Sequence, residues 1–381
     1  MKDSFLINSE IQRKWIKKFQ TIEDTFKERA AYNDIHSSFP FKNIEWLVNE
    51  GYSLLTLPVE YGGEGATIED MVVLQSYLGS LDGATALSIG WHLSVVGQLY
   101  EQHMWEEAML KQFAGDIRNG ALVNRAVSEA DTGSPTRGGR PATHATKTES
   151  GYKLNGVKTF TSMSKALTHY IVAAYVDDIE EVGFFLVPRE IEGVEIADNW
   201  DMVGMRATES HDLVLNDVYV PFENFVEGRR KPQPNGWILH IPSTYLGIAQ
   251  AARDYAIEFA KHHSPNSIKG TIVELPTVQQ NVGKMESLLL SARHFLWSTA
   301  KGYQTIEQNP NVWNETSASK ILVMNQGLEV IDLAMRIVGA KSLEMDRPLQ
   351  RYYRDMRAGL HNPPMEDAAY TNIAKSVLDL F

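Results

Sequence analysis

Apolar residues recur at helical spacing through the first third of the chain, as in Trp15, Phe19, Ile22 and Phe26 and again in Met71, Val72, Leu74, Tyr77 and Leu78. This is the period of half-buried helices. A helical region is therefore expected from residue 10 to about 115. It is interrupted at Leu57-Pro58-Val59-Glu60-Tyr61-Gly62-Gly63-Glu64-Gly65, where proline and glycine cannot continue a helix. The next helix should start near Thr67, whose hydroxyl can cap it, with Glu69 and Asp70 favourable in its first turn.

From about 116 to 228 the texture changes to strands. Tyr152-Lys153-Leu154 precedes Asn155-Gly156, a pair suited to a tight hairpin turn, and Val157-Lys158-Thr159-Phe160 alternates beyond it. Further strands are expected over 169–176, 182–187 and 212–220, which together predict a small barrel or sandwich. After Pro232 and Pro234 the helical period returns in Tyr245, Ile248, Ala249, Ala252, Tyr255, Ala256 and Phe259, then around 278–305 and 316–338. A helical bundle closes the chain.

Composition narrows what such a protein can do. The 381 residues are 43% hydrophobic and 22% charged, enough for two or three domains with substantial cores. A net charge of −12 repels nucleic acid and anionic membrane surfaces, so neither is an expected partner. The absence of cysteine excludes disulfides, thiolate zinc sites, iron–sulfur clusters and a cysteine nucleophile. Met1 to Leu6 lack the apolar core of a signal peptide and no apolar run is long enough to span a bilayer, so a cytoplasmic location is expected. No dinucleotide fingerprint, phosphate-binding loop or zinc helix appears, which leaves a metal hydrolase without support.

Candidate chemistry lies in two strings, Arg125-Ala126-Val127-Ser128-Glu129-Ala130-Asp131-Thr132-Gly133-Ser134 and Asn155-Gly156-Val157-Lys158-Thr159-Phe160-Thr161-Ser162. Three more accompany them: the Leu57–Gly65 loop, Gly204-Met205-Arg206-Ala207-Thr208 leading to Val220-Pro221, and Arg336-Ile337-Val338-Gly339-Ala340 with Arg354-Asp355. In this order, over about residues 10 to 380, they resemble the acyl-CoA dehydrogenase superfamily. The resemblance implies an α+β fold with an N-terminal helical domain (1–115), a central β-barrel (116–228) and a C-terminal four-helix bundle (229–381). It implies bound FAD, with Arg125, Val127, Ser128, Gly133 and Ser134 along the flavin. Phe160, Thr161 and Ser162 would lie against its ring, and Arg336 and Gly339 would reach the flavin of a neighbouring subunit in a dimer or tetramer. A flavin taking up a hydride gains negative charge at its pyrimidine edge, which preorganised amides and a serine hydroxyl stabilise. A lone Phe160 would read as core; two motifs in register reverse that.

The chain leaves the dehydrogenase pattern at the catalytic base. Such an enzyme needs a carboxylate beside a weakly acidic α-proton, and the resemblance puts it nine residues beyond the Arg354-Asp355 pair, where Pro363 stands. The alternative position in some relatives falls on Trp237. Glu366 is the nearest displaced carboxylate, although an acid opening a helix is the simpler account of it. Residues 262–276 hold no arginine for the adenosine end of the flavin, and Lys269 is the substitute.

Leu360-His361-Asn362-Pro363 instead resembles the dibenzothiophene monooxygenase branch of the superfamily, in which a histidine faces the flavin. A histidine there can take a proton from a phenolic or heteroaromatic substrate, and His92 falls in a helix that approaches the flavin in that branch. Three functions stay open. One is an acyl-CoA dehydrogenase passing electrons to an electron-transfer flavoprotein. The second is a monooxygenase or oxidase acting on an aromatic compound and supplied by a flavin reductase. The third is a family-fold binding protein without catalysis.

Overall fold

A computed structural model describes residues 7–131, 139–228 and 233–380. The first third forms five helices, α1 (Glu10–His36), α2 (Phe41–Asn49), α3 (Ile68–Leu81), α4 (Gly83–Glu101) and α5 (Glu107–Arg118). Thr67 caps α3 as its sequence predicts, in a reciprocal box with Asp70. Asp70 also accepts from Gln12 Nε2 at 2.9 Å and from Ser9 Oγ at 2.5 Å. One carboxylate thus ties the starts of α1 and α3 together.

The middle of the chain forms β1 (Val123–Ala126), β2 (His144–Lys147), β3 (Gly151–Lys158), β4 (His169–Val176), β5 (Glu181–Pro188), β6 (Val194–Ile196), β7 (Leu213–Pro221) and β8 (Phe225–Glu227). Their order is β6-β7-β3-β2-β4-β5-β8, with β1 parallel to β4 beside β2. The end strands β6 and β8 do not pair, so the sheet is open and the expected barrel does not close. Asn155-Gly156 is likewise no hairpin turn. It is a bulge inside β3, where the register with β7 shifts between Leu154 and Gly156. The Asn155 side chain is tied to Asp217 of β7, donating at 3.0 Å and accepting at 2.9 Å. Pairing with a strand on each side outweighs the local turn preference of the dipeptide.

The C-terminal helices are α6 (His240–His262), α7 (Pro276–Gly302), α8 (Val312–Val338), α9 (Pro348–Ala358) and α10 (Glu366–Val377). The first four form the bundle, and the tyrosine–isoleucine–alanine stripe predicted for α6 faces its core. That core is continuous with α3 and α4 through Met71, Val72 and Leu87. Two glycines make the join possible: a Cβ on Gly79 would stand 2.5 Å from the Thr244 carbonyl, and one on Gly247 would stand 2.2 Å from that of Ser76. The backbones of α3 and α6 are in contact there, and only glycine permits it. The sheet packs on the other side of the helical region, sharing a core with Trp15, Phe19, Tyr52 and Leu93. Among the described residues no helix is long and apolar enough to cross a membrane.

Candidate functional site

The site is built from the loops at one end of the sheet. Where β1 ends, Glu129 turns inward and accepts from the Ala142 and Thr143 amides at 2.7 and 3.0 Å and from Lys158 Nζ at 2.6 Å. Lys158 is fully buried, and its desolvation lowers its pKa against the pull of Glu129. This ion pair fastens the loop after β1 to the end of β3, and the Thr159 amide adds a 2.8 Å bond to the Ser128 carbonyl. Val127 and Ser128 remain half-buried beside it. Gly133 and Ser134 lie outside the described residues.

Beyond Lys158 the chain kinks. Phe160 sits in the left-handed region at φ 57°, a conformation that an aromatic residue adopts only under constraint. The constraints are visible on either side: the Thr161 amide donates to the His211 carbonyl at 3.2 Å, and Ser162 Oγ accepts from Ser210 at 2.9 Å. The kink turns the Phe160 ring outward, 60% exposed and edge-on to Trp200 at 6.0 Å. The Thr159 and Thr161 hydroxyls flanking it are buried without a partner among the described residues. An exposed ring held in a strained backbone, bordered by unsatisfied hydroxyls, fits a large flat group with a polar edge, as a flavin is.

The loop carrying Trp200 connects this wall to the bundle. Gly204 lies so close to α9 that a Cβ there would stand 2.2 Å from the Arg354 carbonyl. The Met205 amide donates to Asp355 at 2.6 Å. Burial raises the pKa of Asp355 to about 6, and Arg354 is engaged by Asp34 and the Val203 carbonyl. From that junction α9 runs about 7 Å further into a short turn, Gly359–His361. Two buried side chains pin this turn. Tyr245 of α6 donates to Asn362 Oδ1 at 2.7 Å, and Lys320 of α8 approaches the Leu360 carbonyl at 3.5 Å. His361, between them, is exposed.

Lys320 escaped the sequence reading because a helical lysine usually marks a solvated face. Here it is 3% exposed and burial lowers its pKa to about 8. Glu366 opens α10, where it accepts from Asn325 of α8 at 3.2 Å. That is the placement of a helix-opening acid. Trp237 donates its indole N–H to Glu101 at 2.8 Å and packs on Gly97.

Three other sequence-selected residues have defined settings. Arg125 spends its guanidinium on Glu227, at 2.9 and 3.1 Å, which leaves its main chain alone to face a ligand. Arg336 and Gly339 are exposed at the C-terminal end of α8. His92 is fully buried: its Nε2 donates to the Ser53 carbonyl at 3.0 Å and its Nδ1 accepts from the Val123 amide at 3.1 Å. Both nitrogens are occupied by main chain, which speaks against a proton-transfer role and makes the ring a clamp between α4 and β1.

That clamp gives a pH prediction. Burial lowers the His92 pKa from 6.5 to about 4, so the unfolded chain binds a proton before the folded one does. Its stabilisation is complete above pH 6.5 and is lost as pH falls toward 4, by about 3 kcal/mol in total. His240, lowered to about 3 by burial, adds a slope of the same sign, whereas Asp355 has the opposite sign below pH 6. Urea unfolding of wild type and His92→Gln across pH 4–7 isolates the term: their stability difference should shrink on acidification, and a constant difference would refute the assignment.

The open sheet flanked by two helical regions, with a cradle formed by residues 124–129 and 158–162 and the Gly204–Met205 junction, is the architecture of the acyl-CoA dehydrogenases. The chain belongs to that family: the family's N-terminal, middle and C-terminal domains match residues 9–111, 124–218 and 239–362 in order. It is 50% identical over 379 residues to YdbM of Bacillus subtilis, a protein named as a candidate acyl-CoA dehydrogenase, covering 99% of this chain and 100% of that one. Among solved structures it resembles butyryl-CoA dehydrogenase from Megasphaera elsdenii, with a TM-score of 0.87 at 19% identity over 97% of this chain and 99% of that one. It also resembles FMN-bound TdsC from Paenibacillus sp. A11-2, with a TM-score of 0.85 at 19% identity over 97% and 98% of the two chains. At these identities the two structures speak for the fold alone.

Proposed function

We propose that this chain is a flavin-dependent oxidoreductase working without the carboxylate base of a dehydrogenase. In this reading it uses dioxygen to oxidise a small aromatic or heteroaromatic substrate, with electrons from a separate flavin reductase. It is supported by what stands at the two positions where the resemblance puts a dehydrogenase's base, Pro363 and Trp237, and by His361, exposed on a turn braced by Tyr245 and Lys320. A bound flavin supplies two-electron chemistry, accepting a hydride or, when reduced, giving electrons to dioxygen.

The residues have distinct tasks. Phe160 backs the ring, and the main chain at Val127 and Ser128, with the Ser128 hydroxyl, faces the pyrimidine edge; the family resemblance adds Gly133 and Ser134 to the cofactor-binding residues. Thr161 and Ser162 fix the kink that aims Phe160. His361 moves a proton to or from the substrate. Arg336 and Gly339, on the outer end of α8, reach the flavin of a second subunit in a dimer or tetramer. FAD is the form that the family resemblance implies; FMN, which TdsC carries, presents the same ring to these side chains.

The second reading is an acyl-CoA dehydrogenase with Glu366 as a displaced base, delivering electrons to an electron-transfer flavoprotein. The name of the 50% identical relative favours it; the bond of Glu366 to Asn325 does not. Anaerobic addition of butyryl-, octanoyl- and palmitoyl-CoA to the flavin-loaded enzyme separates the two. The visible spectrum should stay unbleached, and bleaching at any chain length would install the dehydrogenase reading. Failure to take up any flavin would return the chain to the binding-protein class.

The placement of Phe160 has its own check. Phe160→Ala should shift the visible bands of the bound flavin and weaken its binding, because the ring covers one face of the chromophore. An unchanged spectrum and affinity would remove Phe160 from the site.

A further inference from the structure

Away from the cradle, a cavity of about 620 Å³ opens between α1, α3, α6 and the start of α9, within the size range of small-ligand pockets. No described residue of 124–162 or 359–366 lines it. Its depth and its mouth differ in charge. Deep in the wall lie Gln250, Arg351 and Tyr352, respectively 2%, 7% and 8% exposed. Asp34 is also deep, but Arg354 holds its carboxylate through both terminal nitrogens.

Arg351 has no such partner. No carboxylate lies within 4 Å of its guanidinium among the described residues; it stands 5.3 Å over the Tyr352 ring, its neighbour in α9. Asp82 and Asp355 act on it only at longer range. Gln250 Oε1 is buried without a partner among the described residues. Toward the mouth the lining carries the exposed carboxylates Glu28, Asp254, Glu258 and Asp346, with Asp254 beside Arg253 and Glu258 beside Lys261 and His262, against two cations, Lys27 paired with Glu23 and Arg347 paired with Glu344.

A guanidinium in low dielectric with open donors is an anion seat, whereas four carboxylates around the entrance disfavour an anion that carries nothing else. We propose that this cavity binds a small zwitterion, its anionic head seated on Arg351 and the Tyr352 hydroxyl and its cationic end held among Glu28, Asp254, Glu258 and Asp346. The site is separate from the flavin cradle and stands or falls independently of the oxygen-using reading.

Calorimetry and thermal melting of the flavin-loaded enzyme with O-phosphoethanolamine, inorganic phosphate and ethanolamine test it. Phosphoethanolamine should bind at one site per chain and raise the Tm, phosphate should bind more weakly, and ethanolamine should give no heat. Arg351→Gln should lose about tenfold or more in phosphoethanolamine affinity with the flavin spectrum unchanged. Should that variant not fold, Tyr352→Phe should still weaken binding several-fold, and Asp254→Lys should narrow the preference for phosphoethanolamine over phosphate. No heat from any of the three compounds, phosphate binding as tightly as phosphoethanolamine, or full affinity in the Arg351 and Tyr352 variants would overturn the proposal.

Discussion

His361→Ala should retain bound flavin and lose turnover by about two orders of magnitude, the range that a positioned acid–base group contributes. The expectation rests on the turn that presents it. Tyr245 and Lys320 grip residues 362 and 360 from two different helices, a bracing that a solvated surface histidine would not require. Tyr245→Phe, which removes the bond to Asn362 while keeping the ring in the core, should give a smaller loss than His361→Ala. Flavin content, measured by absorbance after gel filtration, separates a chemical defect from a binding one. Full activity of His361→Ala would return the residue to the surface.

Glu129→Ala should destabilise the protein by about 3–5 kcal/mol, because it leaves the fully buried Lys158 ammonium without its counter-charge. It also removes the acceptor of the Ala142 and Thr143 amides, which frees the chain entering β2 beside the proposed flavin site. Flavin affinity should therefore fall together with the denaturation midpoint. Lys158→Met with Glu129→Gln replaces the pair by groups that tolerate burial and should recover most of the stability. If Glu129→Ala unfolds at the wild-type denaturant concentration, the ion pair does not anchor the cradle.

Much of this architecture is readable in the sequence because it is local. The helical periods of α1, α3 and α6 and the cap at Thr67 depend on residues a few positions apart, and they stand where the pattern puts them. Strand pairing is non-local. Asn155-Gly156 has the local preference of a hairpin, yet β3 is drawn straight by neighbours on both edges, and nothing in the strand sequences says that β6 and β8 stay apart. The same division runs through the site. The strings around Ser128 and Phe160 are contiguous and legible, but the kink that exposes Phe160 is fixed by Ser210 and His211, about fifty residues away. The side chains of Arg125 and His92 are claimed by Glu227, Ser53 and Val123, partners distant in sequence. Lys320 is invisible for the converse reason, since only the packing of α8 against the Gly359–His361 turn buries it.

The reaction of the reduced enzyme with dioxygen tests the central claim most directly. Flavin-loaded protein is photoreduced without air and mixed in a stopped-flow spectrometer with oxygenated buffer, and recovery of the oxidised visible bands is followed. A protein that works with dioxygen through His361, with Pro363 and Trp237 in place of a base, should reoxidise promptly, and its rate should change in His361→Ala. Reduced flavin that persists in oxygen and gives up its electrons only to an electron-transfer flavoprotein would contradict the account.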